Sequence, residues 1–134
     1  DYFEALLGTK DFDPVAIEML YEDAISDENR FYFGVRRNHT KALIGTLEVE
    51  VGTSELPATL RGLVLAQAER GNGYGRAALE LVERFLVDEY GVTALTAEVP
   101  PGYDDGERFL EAMGFRERRL KSGDVRWFKR IESD

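Results

Sequence analysis

The sequence predicts one α/β domain over residues 1–134, built on a mixed, mostly antiparallel sheet flanked by helices. Three observations support this prediction. Strand patterns at 31–35 and 42–51 are joined by a polar turn, which is typical of a hairpin. A strand at 60–65 leads through a glycine-rich loop into a helical run at 76–90. Further strands are expected at 93–99, 116–120 and 125–131.

The N-terminal region is expected to be helical. Residues 2–7 resemble the end of a short helix that closes near Gly8. Asp13 and Pro14 form a favourable helix start, with Asp as N-cap and Pro in the first turn. The apolar residues that follow predict a helix to about Ser26.

The central hairpin and the long helix have clear periodicities. In the second strand Leu47, Val49 and Val51 alternate with two glutamates. In the helix 76–90 the apolar residues recur at helical spacing and predict a buried face, formed by Leu79, Val82, Phe85 and Leu86. The charged residues between them, Glu83 included, are expected to face water. Gly91 is expected to end this helix, and a shorter helix from Asp104 or Asp105 should end at Gly114.

Composition limits the function classes. The net charge of −9 argues against a nucleic-acid partner, because the phosphate backbone would be repelled. It favours a cationic or amine substrate only weakly. No cysteine is present and His39 is the only histidine, so no metal site is predicted. The sequence has no long apolar run and no visible signal peptide, so we expect a cytoplasmic protein with no membrane partner. Because the chain starts at Asp1 rather than Met, we also expect that an upstream segment is missing.

The most informative segment is the glycine loop, Arg70-Gly71-Asn72-Gly73-Tyr74-Gly75-Arg76. Glycines let the backbone turn tightly and approach a ligand closely. The helix that follows offers unpaired N–H groups and the positive end of its dipole. This combination predicts a phosphate or pyrophosphate site, with Arg76 as an additional phosphate contact.

Two other phosphate motifs share features with this loop. A P-loop is excluded because no Gly-Lys-Ser/Thr follows. A dinucleotide fingerprint remains open, since Gly73-x-Gly75-x-x-Ala78 matches it and Glu98 lies at the expected distance. However, Ala66 to Asn72 separate the strand from the motif, and the preceding hairpin does not suit a parallel sheet.

The glycine loop resembles the Arg/Gln-x-x-Gly-x-Gly/Ala signature of the GNAT family of N-acetyltransferases. A second landmark of that family, a short helix ending in Gly-Phe, is matched by the segment 109–115 with Gly114 and Phe115. The resemblance covers roughly residues 15–131 and implies the GNAT acyl-CoA N-acyltransferase fold. GNAT domains usually begin with a strand, and residues 1–7 are a poor strand, so that strand is expected to be missing or displaced.

The resemblance also implies a donor site. In the family, loop N–H groups hold the pyrophosphate of coenzyme A, and the preceding strand pairs with its pantetheine arm. The cofactor-binding residues implied for this chain are Leu63, Leu65, Arg70, Gly71, Asn72, Gly73, Tyr74, Gly75 and Arg76. Two parallel strands, at 60–65 and 93–99, should separate so that a backbone N–H can reach the thioester oxygen.

The set of catalytic residues that the resemblance implies is less complete than the set of cofactor-binding residues. Glu98 matches the general base of the ribosomal-protein alanine acetyltransferase branch. If the face of Glu48 and Glu50 lines the groove, one of them could bind the amine or serve as the base. The tyrosine that protonates the departing thiolate in the family is replaced by Leu110, and an expected asparagine is replaced by Tyr103. Either Tyr103 is therefore the acid, or water or another group protonates the thiolate, or catalysis is weak.

The predicted function is acetyl transfer from acetyl-CoA to a primary amine of a small molecule or peptide N-terminus, by direct attack in a ternary complex. A non-catalytic acyl-CoA-binding module, as a sensor or half of a tandem pair, is the first alternative. A dinucleotide-binding oxidoreductase fragment is the second. The resemblance also implies that residues 116–131 make homodimer contacts.

Overall fold

The computed structural model describes residues 6–7, 14–25, 28–51, 57–98, 104–123 and 125–131. They form one mixed sheet and two α-helices. The strands are β1 (Leu6–Leu7), β2 (Val15–Ile25), β3 (Glu28–Arg37), β4 (Leu43–Val51), β5 (Ala58–Leu65), β6 (Ala94–Ala97), β7 (Arg116–Arg119) and β8 (Val125–Arg130). The helices are α1 (Tyr74–Tyr90) and α2 (Asp104–Ala112), and a 3-10 turn at Gln67–Glu69 precedes α1.

The strands follow the order β1-β2-β3-β4-β5-β6-β8-β7 across the sheet. Among these described strands only β5 and β6 pair in parallel, while every other neighbouring pair is antiparallel. The helix α1 connects the two parallel strands. This arrangement confirms the mixed, mostly antiparallel sheet and differs from the doubly wound parallel sheet of a dinucleotide fold.

The helix predicted from Pro14 to about Ser26 is wrong, because residues 15–25 of this segment form β2. Its residues pair with β3 from Val15 opposite Arg37 to Ile25 opposite Glu28, with an irregularity between Met19 and Tyr21. Val15 and Ile17 are buried, whereas Glu18 accepts a hydrogen bond from Arg36 on the neighbouring strand. The β-branched residues and long-range pairing outweigh the local helix-start signal of Pro14, whose proposed cap Asp13 lies outside the described residues.

The helix predicted at 2–7 is also wrong where the chain is described. Leu6 and Leu7 form β1 and pair with Glu18 and Ile17 of β2. The first long strand of the sheet is therefore β2, displaced along the chain from residues 1–7.

The hydrophobic core lies between α1 and the sheet. The side chains of Leu79, Val82, Phe85 and Leu86 are buried, as the helical spacing predicts. The ring of Phe85 meets Phe31 and Phe33 of β3 edge-on, with centroid distances of 5.6 Å in each case. Gly91 ends α1 in the left-handed conformation; its N–H donates to the Val87 oxygen, and the N–H of Val92 donates to the Leu86 oxygen. Packing in the core thus fixes the position of α1 on the sheet.

Candidate functional site

The glycine loop lies between the end of β5 and the start of α1. Gly71 and Gly73 have φ angles of 82° and 80°, which other L-residues rarely adopt. A Cβ atom added to either glycine would have no neighbour within 4 Å, so both face open space. The backbone here is accessible to a ligand that approaches closely.

The start of α1 has N–H groups without intrahelical acceptors. Gly73 is the N-cap, and no side chain caps the helix. The first helical bond runs from the N–H of Ala77 to the Gly73 oxygen, at 3.0 Å. The preceding N–H groups, those of Tyr74, Gly75 and Arg76, are consequently open to an anion, and the helix dipole favours negative charge there.

The polar side chains of the loop hold the loop itself. The Arg70 Nε donates to the Leu65 oxygen at 3.2 Å, and the Asn72 amide nitrogen donates to the Glu69 oxygen at 3.3 Å. The Arg76 guanidinium donates to the oxygen of Ala112, the last residue of α2, at 2.6 Å. Arg76, predicted as a phosphate contact, thus links α1 to the C-terminal end of α2.

Gly75 has a packing role beside the ligand role predicted for it. A Cβ atom at this position would lie 3.2 Å from the Cε1 atom of Phe109 in α2. Glycine at position 75 therefore allows α2 to approach the first turn of α1. Residues 109–115 form the predicted helix end, with Phe115 buried and Gly114 at a φ angle of 96°.

The pairing of the parallel strands β5 and β6 ends before β5 reaches the loop. They pair only from Ala58 opposite Leu95 to Leu60 opposite Ala97, although β5 continues to Leu65. On its other edge β5 remains paired with β4 as far as Leu65. The segment from Arg61 to Leu65, which includes Leu63, therefore has one backbone edge that pairs with none of the described strands. We call the space beside this edge the β5–β6 gap.

A bulge marks the point where this gap opens. Glu48 of β4 pairs with Gly62, whereas the next residue, Val49, pairs with Leu60. Arg61 is thus the extra residue of β5. A bulge reorients the local backbone, so the N–H and C=O groups beside Gly62 can turn towards the gap.

Glu98 follows the last residue of β6 and lies at the mouth of the β5–β6 gap. Its side chain is 67% exposed, and its Oε2 atom accepts a hydrogen bond from Arg126 of β8 at 2.7 Å. Sequence reasoning found Glu98 but missed Arg126, because only the pairing of β6 with β8 brings the two together.

Of the two positions considered for the acid, only that of Leu110 lies in the described part of the chain. This residue is 4% exposed and belongs to the hydrophobic core, so the position where the family carries a tyrosine is apolar and buried. Tyr103, the candidate acid, lies outside the described residues.

Two other features are absent from the part of the chain that the structure describes. No group of three or more His, Asp or Glu side chains in the described ranges is arranged to hold a metal ion. No helix in the same part of the chain has the length and apolarity needed to cross a bilayer.

Comparison with known proteins identifies the fold. No curated protein matches the sequence. Solved structures do match: an acetyltransferase from Thermus thermophilus shares 25% identity with a TM-score of 0.60, over 76% of this chain and 64% of the other. The PaiA N-acetyltransferase of Thermoplasma acidophilum in complex with coenzyme A shares 20% identity with a TM-score of 0.65, over 76% and 61%.

A third match is the GNAT domain of S. lividans PAT, with 20% identity and a TM-score of 0.63 over 76% of this chain and 61% of that one. This chain thus spans less than two thirds of the length of these three structures. The family model described as "Acetyltransferase (GNAT) family" matches residues 2–115, which is most of the chain. With the glycine loop at a helix start and the pairing of two parallel strands ending just before it, the chain belongs to the GNAT acetyltransferase family.

Proposed function

We propose that this chain is an N-acetyltransferase that uses acetyl-CoA and a primary amine in one ternary complex. The observation that carries the proposal is the glycine loop, with its open N–H groups, lying directly beside the β5–β6 gap. A pyrophosphate at the loop and an extended arm along β5 would share one continuous surface. The solved structure of a similar protein, PaiA, contains coenzyme A, which supports this choice of donor.

The loop would hold the donor through its backbone. The N–H groups at the start of α1 would bind the pyrophosphate, and the free edge of β5 near Leu63 and Leu65 would pair with the pantetheine arm. Gly71 and Gly73 would leave room for close approach, because space beside their Cα atoms is open. The Arg70 side chain would hold the loop in shape through its bond to a backbone oxygen, and Asn72 would act in the same way.

Glu98 is the proposed general base. The amine nitrogen would attack the thioester carbonyl carbon, so that a C–N bond forms and the C–S bond breaks. Glu98 would accept the proton that the amine loses, and a backbone N–H near the bulge would stabilise the negative charge on the carbonyl oxygen. The departing thiolate would take a proton from Tyr103 or from water.

The acceptor is proposed to be cationic before it reacts, in keeping with the net charge of −9. A polyamine, an aminoglycoside or a peptide N-terminus would meet this requirement.

Homodimer contacts are proposed for the C-terminal strands, where β7 forms a sheet edge with all four residues exposed. Light scattering after size exclusion would measure the mass in solution.

The experiment is a turnover assay, which follows thiol release from acetyl-CoA over a panel of amines, beside calorimetric measurement of acetyl-CoA binding. Glu98→Gln should lower kcat by roughly 10²–10⁴-fold and leave the Kd for acetyl-CoA unchanged, because only proton transfer is removed. Glu18→Gln is the control, since it breaks a comparable ion pair of 2.8 Å in β2, away from the gap. Unchanged turnover in Glu98→Gln would rule this residue out as the base.

A non-catalytic acyl-CoA-binding module is the second candidate function. The buried Leu110 in place of an acid, and the engagement of Glu98 by Arg126, favour it. Binding of acetyl-CoA without turnover of any amine would support this module. Failure of the wild-type protein to bind acetyl-CoA would refute both candidates.

A further inference from the structure

Arg37 contacts the two residues that flank segment 70–73 of the glycine loop. It is the last residue of β3, and its guanidinium donates a hydrogen bond to the Glu69 carboxylate. The guanidinium carbon also lies 5.6 Å from the centre of the Tyr74 ring. Glu69 ends the 3-10 turn before the loop, and Tyr74 is the first residue of α1. One side chain thus connects the residues that flank 70–73.

The Arg37 side chain is partly buried against the loop. Its Nε atom is buried and has no hydrogen-bond partner among the described residues. The hydrogen bond to Glu69, followed by the negative charge of that carboxylate, raises the pKa of Arg37 further above the usual value. The residue therefore stays positively charged, and its guanidinium contacts the Glu69 carboxylate and the Tyr74 ring.

The charge of Arg37 also matters for an anionic ligand. Glu69 precedes Arg70 directly, so an unpaired carboxylate would stand beside the start of a pyrophosphate site. Like charges at such a site reduce affinity. The ion pair neutralises Glu69 and restricts where its carboxylate can point.

We propose that Arg37 is a positioning residue of the coenzyme A loop: it fixes the backbone of residues 70–73 between Glu69 and Tyr74 and neutralises Glu69. The proposal rests on the proposed function in that coenzyme A is the ligand of the loop. Arg37 belongs to the first hairpin, far from the loop in sequence, and the glycine signature does not include it.

The neighbouring residue provides a matched control. Arg36 donates through Nε to Glu18 at 2.8 Å, and the two side chains are 36% and 22% exposed. The corresponding values for Arg37 and Glu69 are 35% and 19%. Arg36→Met and Arg37→Met thus remove ion pairs of similar burial from adjacent positions of one strand, and only the second pair involves the loop.

The experiment measures the Kd for coenzyme A and the steady-state constants for acetyl-CoA in both variants. We expect Arg37→Met to raise the Kd and KM by about 10-fold, the loss of roughly one charge-assisted contact, with kcat changed less than about 2-fold. Arg36→Met should leave all three constants near those of the wild type. Wild-type Kd and KM in Arg37→Met would overturn the proposal.

The double variant Arg37→Met/Glu69→Gln separates the two parts of the role. Removal of the unpaired carboxylate should recover about 3-fold of the lost affinity, while the remaining loss reports the disordered loop. A Kd equal to or higher than that of Arg37→Met would contradict the neutralising role. If Arg37→Met does not fold, Arg37→Lys keeps the charge but not the planar contact with Tyr74, and an increase in Kd of about 3-fold is expected.

A ligand-free measurement distinguishes this proposal from the proposed function. Trypsin cleavage after Arg70 in the native protein should be at least about 5-fold faster in Arg37→Met than in Arg36→Met, because the released loop opens more often. Equal rates would overturn the positioning role even if coenzyme A binds. If the wild type binds no coenzyme A, the proposed function fails, whereas faster cleavage would still support Arg37 as the residue that holds the loop.

Discussion

At the residue scale, Gly73 has a role that no other residue type can take without strain. Its φ angle of 80° lies in the left-handed region, and its position as N-cap leaves the following N–H groups open. Gly91, at the other end of α1, has a φ angle of 64° and equally open surroundings. The two glycines thus have similar backbone requirements, but only Gly73 borders the proposed ligand.

We expect Gly73→Ala and Gly91→Ala each to lower the free energy of unfolding by about 1 kcal/mol, from the same backbone strain. Gly73→Ala should in addition raise the Kd for coenzyme A by at least about 10-fold, because the Cβ atom occupies the space that the pyrophosphate needs. Chemical denaturation and calorimetry measure the two quantities. Equal affinities in the two variants would contradict the loop assignment.

Glu83 is a second residue with a measurable property, a raised side-chain pKa. Its carboxylate accepts a hydrogen bond from Lys129 at 2.7 Å, and the side chains are only 13% and 19% exposed. Burial raises the pKa of Glu83 above its usual value of 4.5, although the hydrogen bond from Lys129 opposes the shift. Sequence reasoning assigned Glu83 to the solvent-facing side of the helix. That prediction was wrong because Lys129 of β8 lies against α1.

The raised pKa means that the folded protein binds this proton more tightly than the unfolded chain does. The corresponding stability is fully present below the unfolded pKa and is lost as the pH rises through the folded pKa. We expect the unfolding free energy of the wild type minus that of Glu83→Gln to fall as the pH rises from about 4. Denaturant unfolding across this range measures it, and a difference that rises with pH would refute the assignment.

At the element scale, β2 extends the N-terminal half of the sheet by pairing with β3. The helical and extended conformations of this segment bury different side chains. In the strand, Ile17 is completely buried against the core, whereas Leu20, three positions later, is 50% exposed. The contrast between these two apolar residues therefore reports the conformation of the segment.

Ile17→Ala should lower the free energy of unfolding by about 2–5 kcal/mol, because it removes buried methyl groups from the core. Leu20→Ala is the matched substitution and should change it by no more than about 0.5 kcal/mol. Urea unfolding of both variants is the measurement. Similar losses in the two variants would mean that this segment does not have the register of β2.

At the scale of the whole molecule, the sheet and α1 together create the proposed donor site. The loop supplies N–H groups at one end, and the β5–β6 gap extends from it along the free edge of β5. A ligand that occupies both parts should stabilise the folded state more than a ligand that occupies only the loop. Coenzyme A and NAD share an adenosine and a pyrophosphate, but only coenzyme A has a pantetheine arm.

We expect coenzyme A at 100 times its Kd to stabilise the protein by about 2.7 kcal/mol, or roughly 8–12 °C in Tm. NAD at the same concentration should shift the Tm by less than about 2 °C, because it lacks the arm that lies along β5. Differential scanning calorimetry with each ligand tests this difference. A larger shift with NAD would favour the dinucleotide alternative.

Much of the architecture is predictable from local patterns. The hairpin of β3 and β4, the buried face of α1 and the Gly114-Phe115 helix end depend on alternation, helical spacing and glycine placement, which are visible over a few residues. The same holds for the glycine loop, whose turn and position at a helix start are predicted from the glycine spacing in residues 70–76. These features, combined with the family signature, were sufficient for the prediction of the GNAT fold.

Other features depend on contacts between distant parts of the chain, and only the tertiary structure decides them. Segment 15–25 becomes a strand because β3 offers it a pairing edge, and β5 leaves β6 after Leu60 because of pairing registers on both sides. Arg126 reaches Glu98, and Arg37 reaches Glu69, across separations of 28 and 32 residues. Residues 70–76 by themselves predict a site for an anion at a helix start. The packed sheet decides what surrounds that site, because the free energy of pairing between distant strands cannot be read from a few neighbouring residues.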